Sequence, residues 1–182
     1  MEIWEKLAVP LLPSQLRWRI GRKSKDKKKA TALAYVSARD VMERLDAVCG
    51  VAGWKDEYIT EPPRTIRKSK TAWNTEIVDT WNEQICGRVI CKLSILDPIT
   101  KEWVTKCDGA GETVVEGEKG GISDAFKRAA VKFGVNRECY NLGTQWCTID
   151  NYDNFTRTPK VTDQYQNKIE KYIAKVKAER EG

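Results

Sequence analysis

The chain has 182 residues, 32 Lys and Arg against 26 Asp and Glu, a net charge of +6 and no histidine. A chain of this length buries about 70% of its unfolded surface, enough for a core without covalent staples. No apolar run approaches the roughly 20 residues that cross a bilayer. The opening segment mixes Glu2, Glu5 and Lys6 among its apolar residues, unlike a secretion signal, so the expected location is cytoplasmic with no membrane partner.

The six cysteines, Cys49, Cys86, Cys91, Cys107, Cys139 and Cys147, include no Cys-x-x-Cys pair. Without histidine this is a poor set for structural zinc, and no metal or other cofactor is expected. Several of them alternate with apolar residues, which reads as free buried thiols rather than an extracellular disulfide framework. Positive charge is clustered. Eight basic residues stand between Arg17 and Lys29 against the single acid Asp26, and Arg64, Arg67, Lys68 and Lys70 form a second group. Such clusters either stay solvated or attract polyanions by counterion release.

In chain order, Ile3 to Leu12 predicts a short helix ended near Pro10 and Pro13. The basic stretch 17–29 has almost no apolar residues after Gly21 and reads as a mobile loop. Ser37 to Gly50 predicts a helix with Ser37 and Asp40 as a capping box, Val41, Leu45 and Val48 on one face and Gly50 as its stop. Trp54 to Ile66 reads as extended and interrupted at Pro62-Pro63, and Lys68 to Glu83 as a long hairpin loop or irregular strand. From Gln84 to Asp97 the period falls to two, with Val89, Cys91, Leu93 and Ile95 on one face. Asp97 to Thr100 makes a turn, and Glu102 to Asp108 returns antiparallel. Gly121 to Gly134 shows the strongest pattern. Ile122, Ala125, Phe126, Ala129, Ala130 and Phe133 form an unbroken helical stripe, with Lys127, Arg128 and Lys132 on the solvent side. A polar linker follows from Asp150 to Pro159, then a helix from about Asp163 to Arg180 with Tyr165, Ile169, Tyr172, Ile173 and Val176 on one face. The fold class is α+β, with one domain over 1–150 and a linker and C-terminal helix over 151–182.

Two segments carry a resemblance. From Ala34 to Tyr58 the chain shows Tyr35, a helix, then Gly50, Gly53 and Trp54; from Glu118 to Tyr140 it shows Lys119, Ser123-Asp124, Lys127-Arg128-Ala129 and Phe133-Gly134. Their order and the strands between them resemble the annealing domain of the Rad-fifty-two/Rad-twenty-two family of recombination proteins, in its bacterial and phage branch. The resemblance covers roughly 30–150. It implies a curved antiparallel sheet packed by a helix, a β-β-β-α core with flanking N- and C-terminal helices, assembled into rings or helical arcs. It also implies ATP-independent binding of single-stranded DNA and annealing of complementary strands in recombination and repair, in a bacterial or phage-infected cell. Partners implied are single-stranded DNA, further copies of the chain and a host or viral single-strand-binding protein.

By the same resemblance Lys127 and Arg128 match a basic pair lining the DNA groove, and Lys119 matches a basic position just upstream. The family's eukaryotic members carry an arginine where Asp40 stands, with Arg39 the neighbouring substitute. A further family arginine falls at Val131, beside Lys132. Arg22, Lys23, Lys25, Lys27, Lys28 and Lys29 form a candidate second DNA contact. Trp54, Trp73, Trp81 and Trp103 could stack on bases, although core or interface roles fit Trp54 and Trp103 better. The glycines Gly109, Gly111, Gly117, Gly120 and Gly121 could cradle phosphate or form strand-end turns, but they lack the spacing and the Lys-Ser/Thr end of a P-loop. Competing readings are an RNA-binding module and a metal-dependent nuclease using Asp108, Glu112, Glu116 and Glu118. For the nuclease, the adjacency of Glu118 and Lys119 argues against a shared strand face.

Overall fold

Pro10 cuts the first helix short, so that α1 spans only Ile3–Leu7. The computed structural model describes residues 2–71, 77–85, 87–111 and 117–181 and, within these, the side chains except those at 71, 78, 83–85, 117–119 and 179–181. The chain divides into two units: one combines Met1–Gly50 with Ala130–Gly182, and the other is Val51–Ala129.

In the first unit the basic stretch is not a loop. Arg17–Lys23 forms β1 and Lys29–Tyr35 forms β2, paired antiparallel from Arg17 opposite Tyr35. Ordered hydrogen bonds close the turn between them. The Ser24 hydroxyl donates to Asp26 Oδ1 at 2.6 Å, the Ser24 amide donates to the Lys29 carbonyl at 2.9 Å, and Lys27 adopts φ 56°. These bonds to Ser24 and the Lys28 amide hold the Asp26 carboxyl below its ordinary range. Ala30, Thr31 and Ala32 of β2 are buried, so the ribbon is anchored along one strand while its cations stay exposed. Gln145–Thr148, which forms β8, pairs antiparallel along the other edge of β2, with Ala30 opposite Cys147.

Helix α2, Ala38–Cys49, starts as its sequence requires. Asp40 N donates to Ser37 Oγ at 3.2 Å, and Ser37 N donates to Asp40 Oδ2 at 2.6 Å. Val41 and Leu45 are buried, and Gly50 ends the helix at φ 79°. Trp4 stacks on Phe133 with ring centroids 6.0 Å apart. Gly134 sits at φ 97°, where an added Cβ would stand 2.9 Å from that of Ala8, so the chain turns there only without a side chain. The last helix, α4, spans Asp163–Glu181. Its Tyr165 and Ile169 are buried, whereas Ile173 is 39% exposed, so the packed face covers only the first turns.

The second unit holds β3 (Trp54–Glu61), β4 (Arg64–Thr71), β5 (Ile77–Ile85), β6 (Arg88–Leu96) and β7 (Trp103–Gly111). Strands β3, β6 and β7 form an antiparallel sheet in the order β3-β6-β7, and β4 and β5 form a two-stranded sheet of their own. The period-two reading of β6 is what the fold uses: Val89, Cys91, Leu93 and Ile95 are all buried. Trp54 lies opposite Ile95, and Asp108 opposite Cys91, on that same face. Ser94, on the other face, is buried as well and shares a 2.8 Å hydrogen bond with Thr105. Burial pushes the Cys91 thiol up to about 12.

Helix α3, Gly117–Lys132, follows the sheet and completes the β-β-β-α order. It starts earlier than its apolar stripe suggests. Gly117, Gly120 and Gly121 lie inside it, with Gly120 and Gly121 buried, so they are not a phosphate-cradling loop. Glycine weakens a helix by roughly 0.5–1 kcal/mol relative to alanine, which hides the first turn from a propensity reading.

Candidate nucleic-acid interface

The stripe of α3 fixes where its charges point. Ala125, Phe126 and Ala129 are buried in the second unit, and Phe126 packs against Trp54 with ring centroids 5.8 Å apart. The helix is thereby seated on the Val89–Ile95 face of the sheet, and Lys127 and Arg128 fall on its outer side.

Neither charge is isolated. Lys127 Nζ meets Asp124 Oδ1 at 2.7 Å, one turn back along the helix. Arg128 reaches to β7, where Nε and Nη2 donate to Asp108 Oδ1 at 3.1 and 3.0 Å. The same oxygen accepts the Gly109 amide at 2.7 Å. Asp108 thus holds the guanidinium from one edge and leaves the Nη1 donors outside the bridge. Arg128 keeps 48% of its side chain exposed. Exposed pairs of this kind are worth about 0–1 kcal/mol, so a phosphate can compete for either cation at little cost.

Lys132 is exposed one turn beyond Arg128, at the end of α3. There Arg137 closes the helix, donating from Nε and Nη2 to the Val131 carbonyl at 3.1 and 3.0 Å, and from Nη2 to that of Lys132 at 3.1 Å. The backbone of Lys119 lies in the first turn of α3, and its side chain is outside the described residues.

The other candidates belong to the first unit. Arg22, Lys23, Lys25, Lys27, Lys28 and Lys29 are exposed along the β1–β2 hairpin, and Lys23 Nζ is bridged to Asp153 at 2.6 Å. Arg39 is exposed on α2, and Asp40 is committed to the helix start and to Arg17, whose Nη2 lies 3.2 Å from Asp40 Oδ1. A guanidinium therefore does stand beside Asp40, supplied by β1.

Among the tryptophans, Trp54 takes the packing role expected of it. Trp103 does not join the core: it is 43% exposed, with Lys55 Nζ 4.8 Å above its ring. Trp81 on β5 is exposed to the same degree, and Trp73 lies outside the described residues. Of the carboxylates considered for metal chemistry, Asp108 is held by Arg128, while Glu112, Glu116 and the side chain of Glu118 lie outside the described residues. No group of three or more metal-ligating side chains occurs among the described residues, and no described helix is long and apolar enough to cross a membrane.

Comparison with known proteins bears on what these charges serve. Residues 1–157 match the Rad52/22 family of double-strand break repair proteins. The chain belongs to that family. Within it, the chain is similar to the single-stranded DNA-binding protein DdrA of Deinococcus deserti, with 28% identity over 152 residues, covering 80% of this chain and 60% of the relative. It is also similar to the protein of the same name from Deinococcus radiodurans, with 28% identity over 159 residues, covering 87% of this chain and 63% of the relative. The chain thus spans about three fifths of the length of these curated relatives. No solved structure matches it.

Membership of the Rad52/22 family accounts for the two motif segments together. From the sequence, Asp108 reads as a candidate metal ligand and Asp124 as part of a motif, but neither as the partner of Arg128 or Lys127. Asp124 could have been found, since residues three apart on a helix are neighbours. Asp108 could not, because only the folded sheet brings it to Arg128.

Proposed function

We propose that this chain binds single-stranded DNA along the outer face of α3 and, as a homo-oligomeric ring or arc, anneals complementary strands without nucleotide hydrolysis in recombination or break repair. The observation that carries the reading is the seating of Lys127 and Arg128 on a helix fixed by Phe126, each held by one carboxylate with donors to spare. Family membership and the names of the two relatives support it.

An annealing surface must hold phosphates and leave base edges free to pair. Contacts to phosphate position a strand without reading its sequence. Lys127 and Arg128 supply such contacts from a rigid helix, and neutralising the backbone lowers repulsion between two approaching strands. Repetition of one modest site around an oligomer adds avidity with no tight single contact. Lys119 and Lys132 are further contacts along α3 itself, and Arg39 on α2 is a separate candidate contact. The hairpin cations Arg22, Lys23, Lys25, Lys27, Lys28 and Lys29 form a second contact, for a duplex or an incoming strand, and a host or viral single-strand-binding protein is the partner that presents the strands.

The test is annealing of two complementary labelled oligonucleotides in the absence of nucleotide and metal, with particle size followed by electron microscopy with and without single strands. Acceleration of annealing by an oligomer is expected. A monomer indifferent to oligonucleotides at low ionic strength overturns the proposal.

A further inference from the structure

The β4–β5 ribbon has no counterpart in the basic helix face. Its two strands pair only with each other as a sheet, in register from Arg64 opposite Ile85 through Lys70 opposite Asp79. Arg64, Arg67, Lys68 and Lys70 are exposed, and so are Ile77, Thr80, Trp81 and Asn82 on the facing strand. A two-stranded ribbon is marginal in water by itself, and Trp81 on it is 43% exposed. Trp81 sits directly opposite Lys68 on one face, and Lys70 is its diagonal neighbour across the pair. Opposed side chains on an antiparallel pair stand about 5 Å apart, and diagonal ones about 7–8 Å. Trp81 thus faces two ammonium groups set side by side along β4, with the exposed carboxylate of Asp79 opposite Lys70 on the same face.

We infer that Trp81 is a base-stacking platform for single-stranded nucleic acid, with Lys68 and Lys70 of the neighbouring strand taking successive phosphates beside the stacked nucleotide. The ribbon offers what such a strand needs and a protein partner does not: a π-face usable by any base, and cations two residues apart along one strand, about 7 Å, facing successive phosphates. Arg67 lies on the opposite face, where its Nη2 donates to Thr80 at 3.4 Å, and is not part of the platform. The inference rests on the proposed single-strand binding and adds a subsite whose chemistry differs from that of α3: stacking on the ribbon, charge alone on the helix.

The experiment compares Trp81→Ala, Trp81→Phe and Trp81→Leu in the full chain, each checked for unchanged thermal unfolding. Binding is measured by fluorescence anisotropy to an oligothymidylate and to an abasic strand of equal length. Trp81→Ala and Trp81→Leu are expected to weaken oligothymidylate binding about 5- to 100-fold, with Trp81→Phe retaining most of the affinity and abasic binding unchanged in all three. Equal affinity of all variants for oligothymidylate overturns the platform. So does an equal loss on the abasic strand, or a change in oligomer size in sedimentation with per-protomer affinity intact, which would make Trp81 a contact between copies. If Trp81→Ala does not fold, the Leu and Phe pair decides alone, since leucine keeps apolar bulk and lacks a ring. Wild-type protein that binds neither strand refutes the function proposed above. Wild-type binding that is lost in a Lys127→Ala, Arg128→Ala double variant, yet unaffected at Trp81, refutes only the platform.

Discussion

The hydroxyl of Tyr165 donates to the main-chain carbonyl of Leu11 at 2.7 Å, joining α4 to the segment that follows α1. Glu138, only 4% exposed, completes the knot by accepting the Leu11 amide at 2.7 Å and lying 3.5 Å from the same hydroxyl. Tyr165→Phe deletes the donor and leaves a buried carbonyl unpaired, which costs about 1–3 kcal/mol. Denaturant unfolding should show a lower midpoint at unchanged slope. An unchanged midpoint would mean that water already satisfies that carbonyl.

Phe126 anchors the second unit in the same way that Tyr165 anchors the first. It is fully buried against Trp54, and Phe126→Ala should cost about 3–5 kcal/mol. The loss should appear in thermal unfolding and carry DNA binding with it, because the helix that displays Lys127 and Arg128 loses its seat. Binding that survives such a loss of stability would separate the proposed site from the seating of α3.

The carboxylate under Arg128 gives a test with opposite signs. Arg128→Ala should weaken single-strand binding and flatten the log–log salt dependence by about 0.7. Asp108→Asn keeps an acceptor for the Gly109 amide while removing a negative charge from beside the guanidinium. Affinity at low salt should therefore rise or hold. A loss in Asp108→Asn comparable to that in Arg128→Ala would show that the bridge is needed to position the arginine, rather than merely occupying it.

Burial pushes the thiols of Cys49, Cys91 and Cys139 up, to about 11, 12 and 12 from an ordinary 9. A folded-state value above the unfolded one means that the folded protein holds the proton more tightly. The associated stability is fully present below pH 9 and is lost as pH rises from 9 towards 12. Unfolding midpoints should fall across that window, and Cys91→Ser should reduce the slope of the fall. At pH 8 a thiol reagent should modify exposed Cys107 in the native protein well before buried Cys91.

Legibility from sequence followed locality. The alternation Val89, Cys91, Leu93, Ile95 and the stripe ending at Phe133 are written at fixed short periods, and both came out as read. The capping pair Ser37 and Asp40 is equally local. The hairpin of β1 and β2 was hidden because cations fill the positions flanking Trp18 and follow Gly21, and because burial of β2 depends partly on β8, which the four residues Gln145–Thr148 do not advertise. Ser94 reads as a surface residue until Thr105 is placed across from it. At the candidate site, the family pattern pointed to Lys127 and Arg128, and the helical stripe alone put them on the outer side of α3. The electrostatic setting of this pair was not legible, since Asp108 lies 20 residues from Arg128 in sequence.

The pairing of β2 with β8 has a consequence for how the chain is made. Ala30 cannot meet Cys147 until all of Val51–Ala129 has left the ribosome. At about 5–20 residues per second, that is a wait of roughly 5–20 s. Throughout it one side of β2 presents unsatisfied amides and carbonyls, the kind of bare edge that recruits stray strands from other polypeptides. A nascent chain of this design gains from an escort during translation.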